Sequence, residues 1–202
     1  MSNKSVSFKL ALTSFNAALY SIIGYITYLG IYIGGIKFWP AVVIPAFFSV
    51  TFGKYVGGVG AAIGIFIADV LTHGDWLLSL AVGVPANFIA FYVLGALTYR
   101  QFTYKRYIGA AILSLTIGSL IIGFGLLGWS QIFIIPGQSE VIPWTLSFAL
   151  VYGVAWTFGS EIPFLIFVVP PLVKAFYSAF PEYATRNQKS DENAANISND
   201  SK

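Results

Sequence analysis

The chain has 202 residues, of which 57% are hydrophobic and 9% charged, with a formal net charge of +3. A soluble domain carries roughly 25% charged residues, so this composition places the chain in a bilayer, as a multi-pass cell-membrane protein. With no cysteine and one histidine, His73, disulfide frameworks, thiolate sites and multi-histidine metal sites are excluded. The small net charge gives no reason to expect a nucleic-acid partner.

Charged residues divide the chain into apolar stretches, and a spanning helix needs about 20 mostly apolar residues. Six spans are read in order: 10–30, 40–54, 56–73, 77–99, 107–129 and 145–173. The first follows Lys4 and Lys9 and is too long for a signal h-region, so it reads as a retained helix. The second is short and carries Pro40 and Pro45, so it is expected to kink or to cross incompletely. The last is long and is expected to tilt or to begin outside the hydrocarbon. The fold expected is an all-α, six-helix transmembrane bundle over 1–180.

Basic residues set the orientation. With the N-terminus inside, Lys4, Lys9, Lys54, Arg100, Lys105, Arg106, Lys174 and Arg186 all fall inside. Lys37 alone falls outside, with His73, Asp75 and Glu140. Both ends are therefore expected in the cytoplasm. The segment 181–202 is polar and lacks an apolar face, so a disordered cytoplasmic tail is expected. Its sequons at Asn196 and Asn199 would then be chance matches.

The stretch 47–71 holds Gly53, Gly57, Gly58, Gly60 and Gly64 beside Lys54. It fails as a phosphate loop, because Phe48 stands where the first glycine is needed and Tyr55 follows the lysine. It fails as a dinucleotide fingerprint, because Ile63 stands at the last required glycine. The pairs Gly53/Gly57 and Gly60/Gly64 are small-xxx-small steps, which let helix backbones approach in lipid. A tightly packed third span after a tight turn is expected. The first span carries a second such stripe: Ala11, Ser14, Ala18 and Ser21, widened by Ala17 and Gly24. It can seat a helix of another subunit or one of this same bundle.

Six spans, both ends inside, and a small-residue face on the first helix resemble the S component of energy-coupling factor (ECF) transporters. The segment from Pro45 to Leu71, with its Pro, Phe-Gly, glycines and late Asp69, is similar to that family's second and third helices. Ser79 to Leu97 resembles its fourth. The resemblance covers about 8–174 and rests on loose small-residue patterns. It implies a subunit that captures a vitamin-like micronutrient near the outer face under lid-like loops. It implies no catalysis and no cofactor of its own, ATP being used by two ABC ATPases held on a transmembrane coupling subunit. The family docks through Ala-x-x-x-Ala on its first helix. Here Ser14/Ala18 and Ala17/Ser21 match, with serine replacing one alanine in each.

A pocket for a small polar ligand needs a few placed polar groups among apolar or aromatic walls. The three outer loops supply Lys37 and Trp39, then Asp75 and Trp76, then Trp129, Gln131, Gln138, Glu140 and Trp144. An interfacial tryptophan belt explains each tryptophan alone, but charge beside tryptophan in all three loops points to a pocket. Deeper lie Asn87, Glu161 and Asp69. Intramembrane ionisable groups cost roughly 2.5–3.5 kcal/mol on insertion scales and mark function by default. Glu161 is read as lining the cavity or packed and protonated. The following Pro163 is expected to unwind the helix locally. Asp69 is read as bonding to a neighbouring helix or reaching the headgroups. The site expected is therefore Lys37, Trp39, Asp75, Trp76, Asn87, Trp129, Gln131, Gln138, Glu140 and Glu161, suited to a polar, zwitterionic or cationic solute.

Enzyme signatures fail. The aspartyl-protease Gly-x-Gly-Asp meets Thr72 at its first glycine, and no Gly-x-Ser-x-Gly occurs. A stand-alone secondary transporter normally shows two related repeats, which are not evident. It remains the alternative, with a non-catalytic membrane scaffold.

Overall fold

The computed structural model describes residues 3–99 and 102–183, with side chains from Val6 onward. Helix α1 spans Asn3–Thr27. A two-stranded antiparallel hairpin follows, β1 Tyr32–Ile33 and β2 Ile36–Lys37, pairing Tyr32 with Lys37 and Ile33 with Ile36. Its turn residues Gly34 and Gly35 both hold positive φ, +60° and +81°, the conformation that a tight two-residue hairpin requires.

A 3-10 turn, Pro40–Val42, then leads into α2, Val43–Phe52. Helix α3 is Lys54–His73 and α4 is Trp76–Thr98. Helix α5 is Tyr104–Trp129 and α6 is Leu146–Ala179. Side-chain caps accept from backbone N–H at three starts: Asp75 at α4, Thr103 at α5 and Thr145 at α6. Each satisfies one of the orphan donors of a helix N-terminus.

Five helices, all but α2, are long and apolar enough to cross a membrane. Large apolar side chains face outward on them, including Phe15, Ile22, Leu113, Phe124 and Phe167. The chain is thus a predominantly helical, multi-pass membrane protein. The second expected span exists but is short. Pro40–Phe52 at about 1.5 Å per residue reaches about 20 Å, against about 30 Å of hydrocarbon. Pro40 and Pro45 sit at the starts of the turn and of α2, where a missing N–H is harmless.

Helix α6 is irregular where the sequence did not place it. Its π-helical segment is Ala149–Trp156, and the helix then runs through Pro163 to Phe167 and breaks at Val168. The unwinding expected at Pro163 is therefore displaced to both sides. The break at Val168 has a local cause, since Pro170 and Pro171 follow and cannot continue an incoming hydrogen-bond ladder. A second π-helical segment, Ser79–Gly83, lies near the start of α4.

Helix α3 sits between α1, α2 and α4, and its glycines explain how. A Cβ on Gly57 would lie 2.6 Å from Ser49 Cβ on α2, and one on Gly64 would lie 2.9 Å from the Ala17 carbonyl on α1. Neither approach leaves room for a side chain. The run is thus a packing surface facing several helices at once. Gly53, at φ +99°, makes the tight α2–α3 turn.

The main core gathers Tyr20, Trp39, Val50, Ile65, Phe91, Leu94, Tyr107 and Leu165 from all six helices and the hairpin exit. A second cluster, with Ile36, Leu78, Val82, Leu126, Ile135 and Trp144, lies under the α5–α6 connection. Arg100, Arg186, Asn196, Asn199 and the tail from 184 lie outside the described residues, as does the side chain of Lys4.

Candidate functional site

The hairpin, the C-terminal end of α3, the start of α4 and the end of α5 meet at one end of the bundle. There a cavity of about 120 Å3 runs inward between α3, α4, α5 and α6, room for several waters or a small solute. Tyr32, Gly35 and Pro136 line it from the hairpin and the α5–α6 connection, and Asn87, Leu115 and Glu161 line it from α4, α5 and α6. Most of the wall is aliphatic, interrupted by Trp39 and Phe91.

Two polar groups of residues cross this wall. The first is an ion-pair cluster near the mouth. Lys37 on β2 pairs with Asp69 on α3 and donates to Thr72 Oγ1 at 3.1 Å. Ser79 Oγ donates to the second Asp69 oxygen at 2.7 Å, and His73 Nε2 stands 3.4 Å from the first. The Lys37 ammonium also lies 4.3 Å from the centre of the Trp39 ring, within cation–π range. Asp69 thus ties the hairpin, α3 and α4 together. Losing either partner of such a buried pair would leave an uncompensated charge.

The second group is a chain of neutral donors. Trp39 Nε1 donates to Tyr20 Oη at 2.9 Å, Tyr20 donates to Asn87 Oδ1 at 2.7 Å, and Asn87 Nδ2 donates to the Gly83 carbonyl at 3.0 Å. Trp39 is seated by Gly24, where a Cβ would lie 2.6 Å from Trp39 Cη2. Tyr20 meets both Trp39 and Phe91 edge-on. These contacts fix the inner face of the hairpin exit onto α1. At the mouth, burial raises the Tyr32 hydroxyl above its ordinary pKa, so it presents a neutral phenol.

Glu161 completes the wall from α6. It is 9% exposed, and among the described residues its carboxyl accepts no hydrogen bond and forms no ion pair. Nearby hydroxyls are spent on their own helix: Thr157 donates to the Gly153 carbonyl and Ser160 to the Thr157 carbonyl. Ser119 Oγ on α5 also lines the cavity, is fully buried and, among the described residues, has no partner.

Of the expected site residues, Lys37, Trp39, Asn87 and Glu161 line the cavity. The others lie elsewhere. Asp75 caps α4, and Trp76 is exposed to 56%. Trp129 stacks on Phe133 with its Nε1 on the Ile134 carbonyl. Gln131 bonds within the α5–α6 connection, to Leu127, Ser130 and Trp144. Gln138 holds a buried oxygen without a partner away from the cavity, and Glu140 is exposed. Trp144 is buried in the second apolar cluster.

Residues that the sequence reading left out of the site are Tyr20, Tyr32, Asp69, His73, Ser79, Phe91, Ser119 and Thr157. Asp69 does bond to a neighbouring helix, through Ser79, but it also takes Lys37 and borders the cavity. Its signal was visible, as an acid four residues before His73 in an apolar span.

The stripe on α1 divides. Ala17 and Ser21 are buried inside the bundle beside the fully buried Asn16, whereas Ala11, Ser14 and Ala18 are exposed. At the far end of the bundle, a second cavity of about 430 Å3 is bordered by Lys9, Lys54 and Arg106. The chain thus has a basic end and a hairpin end. Neither protein-family models, curated proteins nor solved structures match it.

Proposed function

We propose that this chain is the substrate-capture subunit of an ECF-type importer, which binds a vitamin-like micronutrient from outside and releases it through an energised partner. In this reading α2 counts as a sixth, partial span, both ends lie in the cytoplasm, and the hairpin end faces outward in the cell membrane. The basic end, with Lys9, Lys54 and Arg106, agrees with that orientation because cytoplasmic flanks carry the lysines and arginines.

The observation that carries the reading is the cavity itself. It is bordered by a hairpin, walled largely by apolar side chains, and furnished with convergent polar groups, the composition of a small-molecule site. Its polar groups hold one another or face space: the Ser79 hydroxyl and His73 are gathered on Asp69, which is itself paired with Lys37. In this reading the chain binds its solute without catalysis and without a cofactor of its own. Energy would come from a transmembrane coupling subunit and two ABC ATPases, seated against the exposed Ala11, Ser14 and Ala18 of α1, where small residues permit close helix approach.

The test is purification from native membranes in mild detergent. Recovery of a stoichiometric complex with a polytopic subunit and ABC ATPases, lost on Ala18→Trp, supports the reading. A folded chain that always purifies alone, with uptake that follows an ion gradient instead of ATP, overturns it.

A further inference from the structure

Formal charges at the cavity do not cancel. Lys37 and Asp69 neutralise each other, and Asp69 is further occupied by Ser79. Glu161 is the acid left over. It reaches the cavity from α6 with no hydrogen bond or ion pair among the described residues. A second, independent observation falls on the facing helix: Ser119 Oγ is wholly buried, borders the same space and, among the described residues, has no partner. Buried polar groups are normally paired, and an unpaired one in a native fold calls for an explanation such as an absent ligand. Here two unpaired groups on two helices border one space whose walls also hold Trp39 and Phe91.

We propose that the cavity takes a compact organic cation, an amine or a protonated ring nitrogen on an apolar body, with its charge set against Glu161. This rests on the reading of the cavity as a binding site. The Ser119 hydroxyl supplies one further hydrogen bond. The apolar body of the ligand lies along the aliphatic wall and the aromatic rings. Carboxylate-bearing solutes are disfavoured, because the one lysine at the cavity is already paired and the Glu161 carboxyl offers a carboxylate no positive charge.

Three matched probes test this on the full chain in detergent micelles: benzylamine, benzyl alcohol and benzoate. They share a ring and a length and differ in charge. Each is titrated against the thermal unfolding midpoint. Benzylamine is expected to half-saturate at a concentration about tenfold or more below either of the others, because truncating a buried charge pair costs at least that much. Glu161→Gln is expected to erase this preference while leaving the unliganded midpoint near the wild type. Should that variant fail to fold, the ranking of the three probes on the wild-type chain decides alone. Equal response to all three, or a preference for benzoate, overturns the cationic class while the cavity still stands as a binding site. A benzylamine preference that survives in a folded Glu161→Gln protein removes Glu161 from the role. No response to any of the three overturns both this inference and the binding-site reading beneath it.

Discussion

Replacing Gly60 by alanine tests whether α3 is held by close backbone approach. The added Cβ would lie 2.7 Å from Asn16 Cγ and 2.8 Å from Asn16 Cβ, where carbon contacts prefer about 3.5–4.0 Å. Either α1 moves away from α3, or the Asn16 amide rotates. Rotation breaks its donations to the carbonyls of Val56 at 2.9 Å and Gly57 at 3.3 Å. Overpacking of this size costs about 1–3 kcal/mol. Each interhelical hydrogen bond lost in a membrane protein adds about 0.6 kcal/mol. Gly60→Ala should therefore destabilise by about 2–4 kcal/mol, measured by unfolding in mixed micelles of rising denaturing-detergent fraction. Asn16→Ala in the same chain should restore part of that loss, since it removes the clashing amide and, among the described residues, its unpartnered buried Oδ1, while the Asn16 Cβ contact at 2.8 Å stays. If Gly60→Ala stays within about 0.5 kcal/mol of wild type, or Asn16→Ala makes it worse, then the glycine run does not act as argued.

Asp69→Ala should destabilise by about 3–5 kcal/mol, because Lys37 and Ser79 lose their partner together; adding Lys37→Met should recover part of this, as seen in the same unfolding titration. Gly34→Ala places a Cβ 2.7 Å from Tyr152 Cβ at φ +60°, so it should cost the hairpin about 1–2 kcal/mol; hydrogen exchange should speed over 28–37 with the bundle unchanged. Trp76→Ala and Glu140→Ala replace exposed side chains outside the cavity, so both should leave stability within about 0.5 kcal/mol of wild type; a loss of probe binding on either would return the outer loops to the site.

Much of the fold was legible because lipid imposes it. Length, charge spacing and the two prolines of the second stretch located six helical segments and marked the short one. The glycine steps of α3 announced close packing before any neighbour was known. The site was read less well, for a physical reason. Tryptophan near a membrane surface serves belt, core and pocket alike. Nothing local separates Trp39, which lines the cavity, from Trp76 on the surface or Trp144 in the second core. The roles of Lys37 and Asp69 depend on each other across 32 positions, and Tyr20 meets Asn87 across 67. Such pairs exist only once the helices have packed. The π-helical segments of α4 and α6 were likewise invisible, since no residue type marks them. The α4 segment borders the cavity through Ser79, Val82 and Gly83, in keeping with the frequent placement of such segments at functional sites.

The central claim is that the hairpin-bordered cavity captures a small solute. Native mass spectrometry of the chain released gently from its own membranes addresses it most directly. The account predicts one retained small molecule at one copy per chain, carrying a positive charge, and absent from Glu161→Gln prepared in the same way. A folded wild-type chain that is released empty, and whose masses do not change when small metabolites from the same cells are added back, would contradict it.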